Sequence, residues 1–185
     1  MFNRSNLLIV AVALLGAVLG LLAGGRYQRA PELAVPAGVT VLRPGDARTD
    51  LELPDADGRS RRLSEWDGQL VLVNFWATWC GPCRTEMPLL DRIGSVWAGK
   101  GLQVVGIAID DTAAVQGFLK DSPVRYPILI DSSNGVDPAL IFGDTRGVLP
   151  YSVLIGRNGK VLEQRMGSFT QATLTEWLEP HLPGN

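Results

Sequence analysis

The chain has 185 residues, of which 46% are apolar and 19% charged, and a formal net charge of −2. That length suits one globular domain plus a tail, and the composition is that of a folded core, not a disordered chain. Three basic residues, Arg4, Arg26 and Arg29, precede residue 31 and leave 14 basic against 19 acidic side chains in the rest, a poor match for nucleic acid.

Two cysteines cannot make a disulfide scaffold, so the fold rests on its core. Nor can they make a structural zinc site, which needs four ligands, because the single histidine, His181, lies far along the chain. His181 is expected to cap a helix C-terminus, where partial negative charge favours it.

Residues 7–25 (LLIVAVALLGAVLGLLAGG) are 19 positions without a charge or a hydrogen-bonding side chain. As a helix rising about 1.5 Å per residue, they just span a hydrocarbon core of roughly 30 Å. Residues 1–25 are therefore expected to be a signal anchor that spans the membrane. A cleaved signal leaving at Ala23-Gly24-Gly25 is the alternative, although such signals usually have a shorter apolar run. With Arg4 before the run and Arg26 and Arg29 after it, the positive-inside rule fixes no orientation; the signal-like layout favours export of the body. Gly16, Gly20 and Gly24, spaced by four, would let two such helices approach closely, although small residues are common in apolar segments. Residues 26–48, with Pro31, Pro36 and Pro44 and no sustained period, read as a tether. The folded domain is expected over 49–185.

Within it, residues 49–53 (TDLEL) and 59–63 (RSRRL) flank PDADG, whose Asp57-Gly58 marks a hairpin turn. Arg59, Arg61 and Arg62 are expected on its solvated surface. Residues 69–76 (QLVLVNFW) form a nearly continuous apolar run, as in a strand buried on both faces. A helix follows the cysteines to about Trp97, stopped by Gly99 and Gly101, with Pro88 inside it. Residues 102–109 read as a second buried strand, 113–120 as a short helix, 127–130 as a short strand and 135–142 weakly as helix. Residues 151–156 and 160–166 pair around Arg157-Asn158-Gly159. Residues 170–179 close the chain as a helix with Leu174, Trp177 and Leu178 on one face. The class is α/β, a mixed sheet with helices on both faces.

Both cysteines fall in VNFWATWCGPCRTEMP, residues 73–88. Active groups of open α/β sheets collect at the carboxyl ends of strands. Trp79-Cys80 leaves such an end, and Gly81-Pro82 begins the helix, with Pro near its favoured first position. Cys80 then faces unpaired backbone N–H groups and the positive end of the helix dipole, which stabilise a thiolate. Cys83 lies one turn on, close enough to close a ring with Cys80. This geometry allows attack by Cys80, a mixed disulfide, and resolution by Cys83. A permanent structural disulfide is the bland reading, but so short a ring gains little from loop closure.

WCGPC after a strand resembles the thioredoxin superfamily, and the whole of residues 73–88 resembles its TlpA/ResA branch of membrane-tethered, exported thiol–disulfide oxidoreductases. The resemblance runs from about Asp50 to Leu182. It includes FLKDSPVRYPILID (residues 118–131), similar to the insertion of that branch, and GVLPYSVLIGRNGKV (residues 147–161). It implies a thioredoxin-like mixed sheet flanked by helices, with an N-terminal hairpin and a TlpA-type insertion. It implies that Pro150 is a cis-proline facing the disulfide, that Leu149 offers backbone hydrogen bonds to a substrate strand, and that Trp79, Gly81 and Pro82 touch substrate. Tyr151 and Gly156 depart from the small hydroxyl and the Asp common at those places, which bears on the shape of the substrate groove. Asn74 stands where thioredoxins carry a buried Asp and cannot take a proton, so Glu86, matching the Glu of the ResA branch, is expected to serve Cys83 as a base; a surface glutamate is the alternative.

The resemblance further implies a reductase of protein disulfides, working without a cofactor other than its redox-active cysteine pair and without a metal. Its partners would be apocytochrome c or copper-centre proteins as substrates and a membrane electron donor of the DsbD/CcdA type. Two other classes remain open. A peroxiredoxin-type thiol peroxidase would need Thr three residues before its reactive Cys, where Ala77 stands. A Cu(I) carrier using Cys80 and Cys83 as soft ligands would want a nearby Met or His, and only Met87 is close.

Overall fold

The structure is a computed structural model, and residues 3–27, 32–133 and 135–182 are described here. The chain divides into two units, Met1–Leu33 and Ala34–Asn185.

The first unit is a 24-residue helix, α1 (Arg4–Tyr27). Residues 8–21 of it are exposed throughout. No helix among the described residues is long and apolar enough to cross a membrane, so the anchor expected from the sequence is not shown. Arg29 and Pro31 of the expected tether lie outside the described residues.

The second unit holds a hairpin of β1 (Glu52–Pro54) and β2 (Ser60–Arg62) and a sheet of β3 (Leu70–Trp76), β4 (Leu102–Ile109), β5 (Ile128–Asp131), β6 (Tyr151–Ile155) and β7 (Val161–Met166). The order in the sheet is β5-β4-β3-β6-β7. β3, β4 and β5 run parallel, while β6 and β7 are antiparallel to their neighbours. Every residue of β3 is buried, as its unbroken apolar run requires of a central strand.

Alternation along β3 sends side chains to two cores. Leu70, Leu72 and Trp76 meet Met87, Leu90 and Ile93 of α2 (Gly81–Trp97), Val115 of α3 (Thr112–Asp121) and Leu174 and Leu178 of α5 (Gln171–Leu178). Val71, Val73 and Phe75 meet Leu63, Trp66, Leu42 and, from around the short α4 (Pro138–Ile141), Ala139 and Phe142. The expected weak helix at 135–142 is thus a single turn, begun by Asp137, whose carboxylate accepts from Ala139 N–H at 2.7 Å. On β4, a Cβ added to Gly106 would sit 2.6 Å from Ile128 Cδ1 and 3.2 Å from Trp76 Nε1, so the strand must be bare at this point for those side chains to close over it.

Two sequence expectations need correction. The tether does not run to residue 48. Leu42 is buried, its N–H donates to Ile141 O at 2.8 Å, and its carbonyl accepts from Gln164 Nε2 at 2.8 Å. Ala47 bridges Lys160, and Arg48 N–H donates to Gly159 O at 2.9 Å. The free edge around the 157–159 turn offers this segment partners that no local periodicity could announce. Likewise His181 does not cap α5; its Nε2 lies 2.7 Å from Glu163 Oε1 on β7. The hairpin arginines are solvent-facing as expected but paired: Arg59 with Asp57, Arg61 with Glu65, Arg62 with Glu52.

Candidate active site

The β3 strand ends at Trp76, and the chain turns through Ala77 and Thr78 before α2 begins. Asp110, just past the end of β4, holds this turn: one carboxylate oxygen accepts from Thr78 N–H at 2.8 Å and from Thr78 Oγ1 at 2.6 Å. Burial opposes ionisation there, but these donors and Asp111 N–H hold the Asp110 carboxyl below its ordinary range. With Thr78 clamped, Trp79 is presented to solvent at 70% exposure.

Cys80 is the N-cap of α2, followed by Gly81 and Pro82 in the first turn. Its sulfur accepts from Cys83 N–H at 3.3 Å, and a backbone donor so placed favours a thiolate on that sulfur. Cys80 and Cys83 are joined as a disulfide, with Cα atoms 5.3 Å apart. Cys80 keeps 5% exposure and Cys83 none. Of the two sulfurs, Cys80 is therefore the one on the surface side.

Glu86, one turn beyond Cys83, is 3% exposed, not a surface residue. One carboxylate oxygen accepts from Asn74 Nδ2 at 2.9 Å, the other from Phe169 N–H at 2.8 Å. Asn74 Nδ2 also donates to Ser152 Oγ at 3.1 Å. Burial pushes the Glu86 carboxyl up; the Phe169 N–H, the Asn74 amide and the positive charge of Arg165 pull the other way without cancelling it. A carboxyl held above its ordinary value of 4.5 is a better proton acceptor than a solvated one.

Leu149-Pro150 is a cis peptide, as the resemblance implied. Since Tyr151 pairs with Phe75 near the end of β3, Pro150 stands at the sheet end from which Trp79 and Cys80 emerge. The loop before it is shaped by Asp144, fully buried, whose carboxylate accepts from Arg146 N–H at 3.1 Å and Val148 N–H at 2.8 Å. Tyr151, which had bearing on the groove, faces the other core: its ring lies 6.1 Å from Phe75 and its hydroxyl donates to Phe142 O. The neighbouring Ser152 is fully buried. Sequence reasoning missed Ser152, Arg165, Phe169, Asp110 and Asp144. For Ser152 a signal existed, a lone hydroxyl in the apolar run YSVLI, and for Asp144 a local one, an acid two and four residues before the N–H groups it accepts from; for the others the partners are distant in sequence.

Ala77, three residues before Cys80, is completely buried and brings no hydroxyl for a peroxide. Met87, at 2% exposure, is packed into the same buried cluster as Cys80 and Cys83.

A dithiol–disulfide pair at the start of a helix leaving a mixed α/β sheet, with a cis-proline at the same sheet end, defines a thioredoxin-fold protein thiol–disulfide oxidoreductase. Residues 44–164 match the AhpC/TSA family. The chain is 32% identical over 142 residues to the thiol–disulfide oxidoreductase ResA of Bacillus thuringiensis subsp. konkukian, covering 75% of this chain and 79% of the relative. It is 28% identical over 185 residues to ResA of Bacillus subtilis, covering all of this chain and 94% of the relative. Among solved structures, a Chlorobium tepidum protein described as the thiol:disulfide interchange protein DsbE superposes with a TM-score of 0.66 at 35% identity, covering 76% of this chain and 95% of that one. The chain belongs to the AhpC/TSA family and, within the thioredoxin superfamily, to its ResA/TlpA-like thiol–disulfide oxidoreductases.

Proposed function

We propose that the protein is an exported, membrane-tethered reductase of protein disulfides, in which Cys80 attacks, Cys83 resolves and Glu86 is the base. The observation that carries this reading is the buried Glu86 carboxylate one helix turn beyond a fully buried Cys83, while Cys80 alone keeps exposure at the helix start. In the reduced protein the Cys80 thiolate attacks a substrate disulfide, forming a mixed disulfide and releasing one substrate sulfur. Cys83 then loses its proton to Glu86 and its sulfur attacks Cys80 Sγ; the Cys80–substrate bond breaks and its electron pair leaves on the second substrate sulfur. The substrate has gained two electrons and, with one proton returned by Glu86 and one taken from water, two protons, and the Cys80–Cys83 disulfide is restored. A membrane dithiol relay of the DsbD/CcdA type would return the electrons. Apocytochrome c before haem attachment, or the cysteines of copper-centre proteins, are the substrates proposed. Trp79, Leu149 and Pro150, with Gly81 and Pro82, would form the surface that receives them.

The reducing direction is supported by Gly-Pro between the cysteines, as in thioredoxin. Equilibration with a dithiol buffer is expected to place the Cys80–Cys83 couple near thioredoxin, at about −270 mV. A value near that of DsbA, about −120 mV, would make the protein an oxidant and overturn the reading.

Export is supported by the uncharged 19-residue run at 7–25. A reporter that matures only after export, fused after Asn185, should be active. Activity from a cytoplasm-only reporter in its place would refute export without touching the chemistry.

A further inference from the structure

The antiparallel register aligns three polar side chains across the sheet. Asn74 on β3 is directly opposite Ser152 on β6, and Ser152 is directly opposite Arg165 on β7. Directly opposed residues share a face, and here it is the face on which Glu86 of α2 accepts from Asn74. The Arg165 guanidinium lies 4.9 Å from the Phe169 ring, and the N–H of Phe169 donates to the other Glu86 oxygen. Arg165 thus flanks both arms that hold Glu86. Among the described residues it enters no ion pair, and its buried Nε has no hydrogen-bond partner. The other arginine whose cation lies over a ring among the described residues, Arg61 over Trp66, is paired with Glu65. A partly buried cation left unpaired beside a buried carboxylate is costly unless the carboxylate is charged.

We propose that Arg165 is a positioning residue for the resolving step: from the end of the row Asn74–Ser152–Arg165 it holds Glu86 as a carboxylate, ready to take the Cys83 proton. The inference rests on the reading of Glu86 as the base and adds what sets the pH at which that base works. The groups facing Glu86 are Cys83 on its own helix, the neutral Asn74 and Ser152 from β3 and β6, the Phe169 N–H ahead of α5, Arg165 from β7, and Tyr126 ahead of β5. Tyr126 is buried, its hydroxyl pushed far up by burial and by the charges of Glu86 and Asp91, so it stays neutral. Arg165 is then the one cation acting on this carboxyl among the groups that face it, and its loss should let burial raise Glu86 further.

The test is a single turnover of the fully reduced protein against a test protein disulfide, followed from pH 4 to pH 9. Glu86 must be ionised to accept a proton, so the rate of resolution rises with pH along an acid limb. In Arg165→Gln that limb is expected to move up by about one pH unit, the low end of what an adjacent opposite charge supplies. Arg165→Lys should bring it back toward the wild type, and in a Glu86→Gln background Arg165→Gln should shift nothing. An unmoved limb in Arg165→Gln, or a shift that persists without Glu86, overturns the inference. A limb that survives unchanged in Glu86→Gln alone overturns the reading of Glu86 itself, and the inference with it. If Arg165→Gln folds poorly, carbon-13 titration of the Glu86 carboxyl in wild type and Arg165→Met, which keeps an apolar stem over Phe169 but no charge, decides instead. A carboxyl that titrates at the same pH in both proteins refutes the coupling; one that titrates higher in Arg165→Met supports it.

Discussion

Cys80→Ser is expected to abolish turnover outright, and Cys83→Ser to stop it one step later with the substrate held on Cys80. The two sulfurs differ in what surrounds them. Cys80 is the N-cap residue, receives the Cys83 N–H at 3.3 Å and keeps 5% exposure; Cys83 lies inside the helix with none. A thiolate is stabilised where backbone donors and the dipole converge, and only a reachable sulfur can meet a disulfide on another protein. Without Cys83 nothing attacks the mixed disulfide from within, so Cys83→Ser should accumulate adducts with its partners that added thiol releases. Non-reducing electrophoresis of both variants reads this directly. Adducts on Cys80→Ser and none on Cys83→Ser would reverse the assignment.

Glu86→Gln should slow the resolving step by about a hundredfold, the lower end of what a positioned base contributes. The substitution keeps the shape but removes the proton acceptor, and turns one of the two acceptor oxygens facing Asn74 and Phe169 into a donor. In the wild type, burial places the Glu86 carboxyl above 4.5, so the acid limb of the rate lies above the ordinary carboxylate range and should vanish in Glu86→Gln. The charge of Glu86 also opposes a nearby thiolate, so the variant should show a lower apparent thiol pKa; the titrations are coupled and the shift belongs to the group. Stability carries the same signature with a definite sign. A folded-state pKa raised above the unfolded one means the folded protein holds its proton more tightly. That contribution is present at low pH and is lost as pH rises from 4.5 through the raised value. Denaturant midpoints of wild type and variant should therefore diverge across that window, the wild type losing relative to Gln. Unchanged thiol absorbance, rates and midpoints would mean that the Cys83 proton passes to water.

What was legible in the sequence was whatever local pattern controls. The unbroken apolar run of β3, the helix opening at Gly81-Pro82, the strand at 102–109 and the hairpin around Asn158-Gly159 each follow from the period of burial or from backbone freedom at one glycine. The chemistry of the cysteine pair followed too, because spacing by three at a helix start is itself the geometry. Glu86 was legible as a candidate because it shares that helix with Cys83.

Only the tertiary structure decided what Glu86 is. Its donors come from β3 and from the loop before α5, 12 and 83 residues away. The row that brings Ser152 and Arg165 beneath it exists through strand register, which sets Ser152 beside Asn74, 78 residues earlier, and Arg165 beside Ser152 in turn. The same reason made Leu42 and Ala47 read as tether. A single leucine carries no period, and the edge that receives this segment belongs to residues 141–164. Local sequence decides which elements form and which of their faces is apolar. It does not decide which polar side chains meet between elements, because the register and packing of the whole sheet place them, and the pKa of Glu86 is set there.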